Sequence, residues 1–288
     1  MIRLAWSRAL AFSAAGLCLA REPAHPLVWC SDGRLARLDH GGQALAEFRL
    51  PYPLQLAAIS DDGRTVLTAG TGGQVALYTL DFVPVWKTTV SRRPVAVALD
   101  HLGARAAVAD DGGGLHIFDD RGQRVWQAAT PRPLVHLAFV PEEAVLLGAA
   151  EYGLVCAFDA RGDTLWRDGL VAHVGGLAVT GTGDRAVLAC FTQGLFAYHP
   201  RRGGRTAIER ASPARLVAVS YRGDRLVTAG LNADLAIRDP AGDVLAAHTL
   251  PAIPSAMALD GLGEFLYALL ADGRLVGVEL SRHADGRK

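Results

Sequence analysis

The chain has 288 residues, half of them apolar and a fifth charged, with 29 Lys and Arg set against 29 Asp and Glu. That is enough apolar material for one sizeable all-β body, and two domains are not required. Balanced charge argues against the basic domain or stripe that nucleic-acid binding needs, and no apolar run reaches the roughly 20 residues that span a bilayer, so neither nucleic acid nor membrane insertion is expected.

At the N-terminus, Arg3 and Arg8 lead into the apolar stretch from Ala9 to Ala20, which has the composition of a signal peptide. A competing reading comes from register. Trp6 lies eighty residues before Trp86, and Cys18 lies forty before Ala58. Residues 2–8, with a strand at about Ile2 to Ser7, then belong to the repeating structure described next, and cleavage after residue 20 would remove part of it. A cytoplasmic, bacterial-type location is therefore expected, with a periplasmic one as the alternative if residues 1–20 act as a leader. Cys18, Cys30, Cys156 and Cys190 show no CxxC or metal-finger spacing and are expected as buried free thiols.

A shift of forty residues lays Phe118-Asp119-Asp120-Arg121-Gly122-Gln123-Arg124-Val125-Trp126 on Phe158-Asp159-Ala160-Arg161-Gly162-Asp163-Thr164-Leu165-Trp166 without a gap. The same shift aligns Gly42, Gly122, Gly162 and Gly242, and separately Gly63, Gly103, Gly183, Gly223 and Gly263. Glycine at fixed offsets marks two tight turns in each repeat, because positive φ is costly for a residue with Cβ. Cys18, Ala58, Ala98, Ala138, Ala178, Ala218 and Ala258 form a small-residue column, each followed by a large apolar residue. Within one repeat, Pro94 to Leu99, Arg105 to Ala109, Leu115 to Asp119 and Arg124 to Ala128 read as short strands separated by turn residues.

Four short strands in about 40 residues make a propeller blade, with the crowded small-residue column on the innermost strand. The fold expected is all-β: a seven-bladed β-propeller of four-stranded antiparallel blades over residues 1–280, with a polar tail at 281–288. The last repeat shows strands at Ala256 to Leu259, Phe265 to Leu270 and Gly273 to Glu279 but no fourth. Residues 2–8 are expected to complete that blade and close the ring, leaving no open edge there.

The Phe-Asp-x-x-Gly-x-x-x-Trp segments at 118–126 and 158–166, with the glycine turns, resemble the WD40-like and quinoprotein-like (PQQ-repeat-like) propellers. The WD dipeptide and Gly-His pair of regular WD40 repeats are absent, and the tryptophans look instead like the docking tryptophans of quinoprotein blades. The resemblance implies a propeller and carries no chemistry with it, since fold does not imply function.

Trp6, Trp86, Trp126 and Trp166 share one register and are expected to pack between neighbouring blades rather than to stack on a ligand, with Trp29 in a second-strand core. Asp119 and Asp159, in the same slot of different blades, cannot be a catalytic pair and are expected to accept hydrogen bonds within their own turns. The nine histidines show no HxH or HExxH spacing, and no GxSxG, P-loop or dinucleotide fingerprint occurs, so no metal, no cofactor and no catalytic residue is assigned.

In an antiparallel meander the blade-to-blade connections share a face with the turns between second and third strands. The connections carry Tyr52, Arg92, Arg93, Arg132, His173 and Arg210, and the turns carry Asp32, Asp110, Asp111, Glu151, Tyr152, Asn232, Asp234 and Asp272. Arg and Tyr are enriched at protein hot spots, so this face is the expected docking surface of a non-enzymatic interaction scaffold whose partner is another protein or complex. The alternative is a ligand-binding or hydrolytic propeller with its site at the channel mouth.

Overall fold

The computed structural model describes residues 2–141, 143–208 and 213–280; the expected tail at 281–288 lies outside these. The described residues form seven four-stranded antiparallel sheets. The N-terminal strand β1 is Ile2–Ala9. Blade 1 holds β2 to β5, at Gly16–Ala20, His25–Trp29, Arg34–Leu38 and Ala44–Arg49. Blade 2 holds β6 to β9, at Leu54–Ile59, Thr65–Gly70, Gln74–Thr79 and Pro84–Thr89. Blade 3 holds β10 to β13, at Pro94–Leu99, Arg105–Asp110, Gly114–Asp119 and Arg124–Ala129. Blade 4 holds β14 to β17, at Leu134–Val140, Val145–Ala150, Val155–Phe158 and Thr164–Asp168. Blade 5 holds β18 to β21, at Val174–Val179, Ala186–Cys190, Gly194–His199 and Gly203–Ile208. Blade 6 holds β22 to β25, at Leu216–Val219, Leu226–Ala229, Asp234–Arg238 and Val244–Thr249. Blade 7 holds β26 to β28, at Pro254–Leu259, Phe265–Leu270 and Arg274–Leu280, and its outer strand is β1.

The closure expected from sequence is therefore present. β1 runs antiparallel to β28 with Ile2 opposite Leu280 and Ala9 opposite Arg274. Arg3 pairs with Glu279 at 2.7 Å across this seam.

The tryptophans lie between blades as expected. The Trp86 ring meets Phe118 of blade 3, that of Trp126 meets Phe158 of blade 4, and that of Trp166 stacks on Tyr198 of blade 5. Trp6 crosses from blade 7 to blade 1, donating Nε1 to the His40 carbonyl at 3.1 Å. Each ring fits because a glycine yields to it: a Cβ on Gly122 (φ +76°) would sit 2.8 Å from the Trp86 ring. At the blade 1–blade 2 contact the pair is exchanged. Ala46 stands in the tryptophan column, and Phe82 fills the glycine position at φ 57°, stacked on Phe48 with centroids 5.0 Å apart. Trp29 packs on Gly16 and donates Nε1 to the Gln55 carbonyl at 3.2 Å, consistent with a second-strand core role.

A second tie recurs every blade or two. Arg105, Arg185 and Arg225 each reach a carbonyl fifty-five residues on, at Ala160 (3.4 Å), Pro240 (2.8 Å) and Leu280 (2.7 Å). Asp119 and Asp159 accept from backbone amides two and four residues on, as expected for turn acceptors. Cys30, Cys156 and Cys190 are buried free thiols, and Cys18, on the innermost strand of blade 1, is a free thiol that is only half-buried.

Candidate protein-docking face

The connections between blades are short and rich in proline, which fixes φ and limits the conformations they can reach. Their backbones are tied to the turns beneath. The Arg93 carbonyl accepts from the Asp111 amide at 2.9 Å, that of Arg132 from the Thr130 hydroxyl at 2.7 Å, and that of His173 from the Phe191 amide at 3.1 Å. These residues therefore project from fixed points on one face of the disc.

Arg92 is exposed and lies over Gly112, with no hydrogen bond or ion pair among the described residues. Arg93 is exposed and pairs loosely with Asp111 at 3.6 Å. Arg132 lies over the Tyr152 ring at 5.8 Å from its centroid, and the His173 ring meets the same tyrosine with centroids 5.0 Å apart. The structure thus brings Arg132, Tyr152 and His173 into one cation–aromatic cluster over blade 4, with exposed Val171 nearby in sequence.

Two members of the expected set stand apart. Tyr52 turns into blade 2, where its hydroxyl shares a 2.8 Å hydrogen bond with that of buried Thr68, so it anchors the face more than it presents a group. Arg210 lies outside the described residues.

The acidic fringe is also largely neutralised in place. Asp32 pairs with Arg34, Asp272 with Arg274, and Asp234 is held by Asn232 and Thr249. Asp110 is buried against the His116 ring at 2.9 Å. Burial pushes its carboxyl up, but the His116 ring and the Gly114 and Gly112 amides outweigh that and hold it below its ordinary value. What the face offers a partner is therefore Arg92 and Arg132, with aromatic support.

The opposite face, which carries the turns between first and second strands, holds a cleft of about 890 Å³ at the channel mouth. Arg21 is its centre, gripping Asp61 through two hydrogen bonds of 2.9 and 2.6 Å while its Nη1 reaches the Val179 carbonyl of blade 5 at 3.3 Å. His101, Tyr221 and Arg222 line the same opening. The signal was available at the forty-residue spacing: Arg21, Asp61, His101 and Tyr221 share a column directly after the first strand. Around this mouth backbone amides link blade to blade, from Gly181 to Tyr221, Tyr221 to Gly261, Gly261 to Arg21, Glu22 to Asp61 and Asp61 to His101. Pro141, the blade 4 member of the column, has no N–H to continue the series. Among the described residues no group of three or more His, Cys, Asp or Glu is placed to hold a metal ion.

Comparison with known proteins agrees with this architecture. The family model described as outer membrane protein assembly factor BamB matches residues 31–173, just under half of the chain. Among solved structures, the β-propeller domain of Cps50 (Swd1) from Myceliophteria thermophila superposes with a TM-score of 0.81 at 14% identity, covering 98% of this chain and 100% of that one, a likeness of fold. No curated protein matches the chain in sequence. With seven four-stranded blades and inter-blade tryptophans, the chain is a seven-bladed β-propeller, similar over residues 31–173 to the BamB family model.

Proposed function

We propose that this chain is a non-enzymatic assembly subunit, a rigid disc that docks another protein through its connection face. The observation that carries the reading is the row of Arg92, Arg93, Arg132 and His173 on successive connections, with Arg92 and Arg132 uncompensated and Arg132 and His173 braced on Tyr152. Arg and Tyr on pre-ordered backbone lose little entropy on binding, which favours them as anchors. The partner this face suits is a protein surface bearing carboxylates. An assembly role is also what the description of the matching family model names.

Affinity capture of the full-length protein from its native cells tests this, set beside a variant carrying Arg92→Glu, Arg93→Glu and Arg132→Glu. A stoichiometric partner retained by the wild type and lost by the variant is the expected result. A partner kept equally by both would move the docking site elsewhere. A second reading, a small-molecule site, is favoured by the Arg21–Asp61 cleft on the other face. It predicts that native mass spectrometry of the purified protein finds a bound small molecule that Arg21→Ala loses.

A further inference from the structure

The turn after the first strand departs from its repeat in two blades: blade 1, with Ala20 and Pro23, and blade 4. In the column of Gly63, Gly103, Gly183, Gly223 and Gly263, all with positive φ, blade 4 carries Glu143. In the column of Ser60, Asp100, Thr180, Ser220 and Asp260, whose side chains hold their own turns, it carries Val140. Between them Pro141 ends the series of amides linking the blades. Turn stability does not account for these changes, since the glycine and the polar cap are the favoured choices.

Beside this turn, between blades 3 and 4, lies a cleft of about 180 Å³. Its two walls carry unspent hydrogen-bonding groups of opposite kind. On the blade 3 wall, Trp126 Nε1 is buried with no partner among the described residues. In Trp6 and Trp166 the same atom donates to the carbonyl thirty-four residues on, at His40 and Pro200, whereas in Trp86 it is buried without a partner among the described residues, as in Trp126. The corresponding Ala160 carbonyl is instead held by Arg105, loosely, at 3.4 Å. Two donors thus converge where there is one acceptor. On the blade 4 wall, Glu143 Oε2 is buried without a partner among the described residues, and it makes no ion pair with Arg105. Ile117, Phe139 and Leu146 supply an apolar floor. Leaving a buried donor and a buried carboxylate oxygen unpaired is costly, so a ligand that satisfies both gains what the fold alone forgoes.

We propose that this cleft binds a small free amino acid. Its carboxylate lies against Arg105 and Trp126 Nε1, its ammonium against Glu143 Oε2, and an aliphatic side chain against the apolar floor. A carboxylic acid alone leaves Glu143 unpaired, and an amine alone leaves the two donors unpaired, so both charges are required for recognition.

The test uses the full-length protein, titrated calorimetrically with each of the standard amino acids, and with isovalerate and isobutylamine as the single-charge analogues of L-valine. Saturable one-to-one binding of an aliphatic amino acid is expected, with neither analogue binding. Glu143→Gln and, with its ring retained, Trp126→Phe should each weaken binding by roughly tenfold to a hundredfold, the span of a charge-assisted hydrogen bond. The Glu143→Gln protein should melt at the same temperature as the wild type or higher. Absence of saturable binding by any amino acid overturns the proposal. So does equal binding of either analogue, indifference of binding to Glu143→Gln, or a lowered melting temperature in that variant, which would make Glu143 a structural residue.

Discussion

Phe82 shows how a repeat residue is set by its neighbour. At φ 57° it sits where other blades place glycine, a conformation that costs a non-glycine residue about 1 kcal/mol or more. Its ring is 5% exposed and stacked on Phe48, filling the space that a tryptophan from the preceding blade fills elsewhere. Truncating a buried Phe costs about 3 to 5 kcal/mol, so burial outweighs strain and Phe82→Gly should destabilise by about 2 to 3 kcal/mol in chemical denaturation. The tryptophan register was legible in sequence because rings of that size recur visibly at forty residues. The Ala46–Phe82 exchange was not, since it appears only once the two columns are known to touch. A second residue-scale prediction concerns Asp110. Its folded-state carboxyl lies below the ordinary 3.8, so it stabilises the fold above that pH and the contribution is lost as pH falls through the lower folded value. The melting temperature should drop on acidification through this range, and Asp110→Asn should show a smaller drop over the same interval.

At the scale of elements, β1 and the arginine clamps carry the ring. Deleting residues 1–13 would leave the edge of β28 unpaired and remove Trp6 from its contact with Phe265 and Tyr267. That deletion is expected to aggregate or to melt without cooperativity, as seen by size-exclusion chromatography and calorimetry. Arg225 gives two bonds of 2.7 Å, to Gly263 and Leu280, whereas Arg105 gives one at 3.4 Å. Arg225→Met should therefore cost about 2 kcal/mol by denaturant titration and Arg105→Met clearly less. Strand positions were readable from turn glycines and alternation: the expected runs of blade 3 match β10 to β13 to within one residue at each end. The clamps escaped notice because their acceptors are backbone carbonyls, which every residue has and no sequence column marks.

For the whole molecule, sequence periodicity placed Arg92, Arg93, Arg132 and His173 on one face because the meander leaves no other choice. What it missed was which charges are spent. Asp32, Asp234 and Asp272 looked like an acidic fringe but are satisfied within their own blades, and Tyr52 is spent on Thr68. Such pairing depends on side-chain reach across a turn, which spacing does not encode. The Arg21–Asp61 mouth was missed for a related reason: its residues are contributed singly by different blades, so no local motif announces it. The most direct measurement of the docking role is hydrogen–deuterium exchange of the captured complex against the free protein. Protection on binding is expected to concentrate in the connections at 90–93, 130–133 and 169–173 and in the turn that carries Tyr152. Protection confined to the opposite face, around Arg21, His101 and Tyr221, would contradict it.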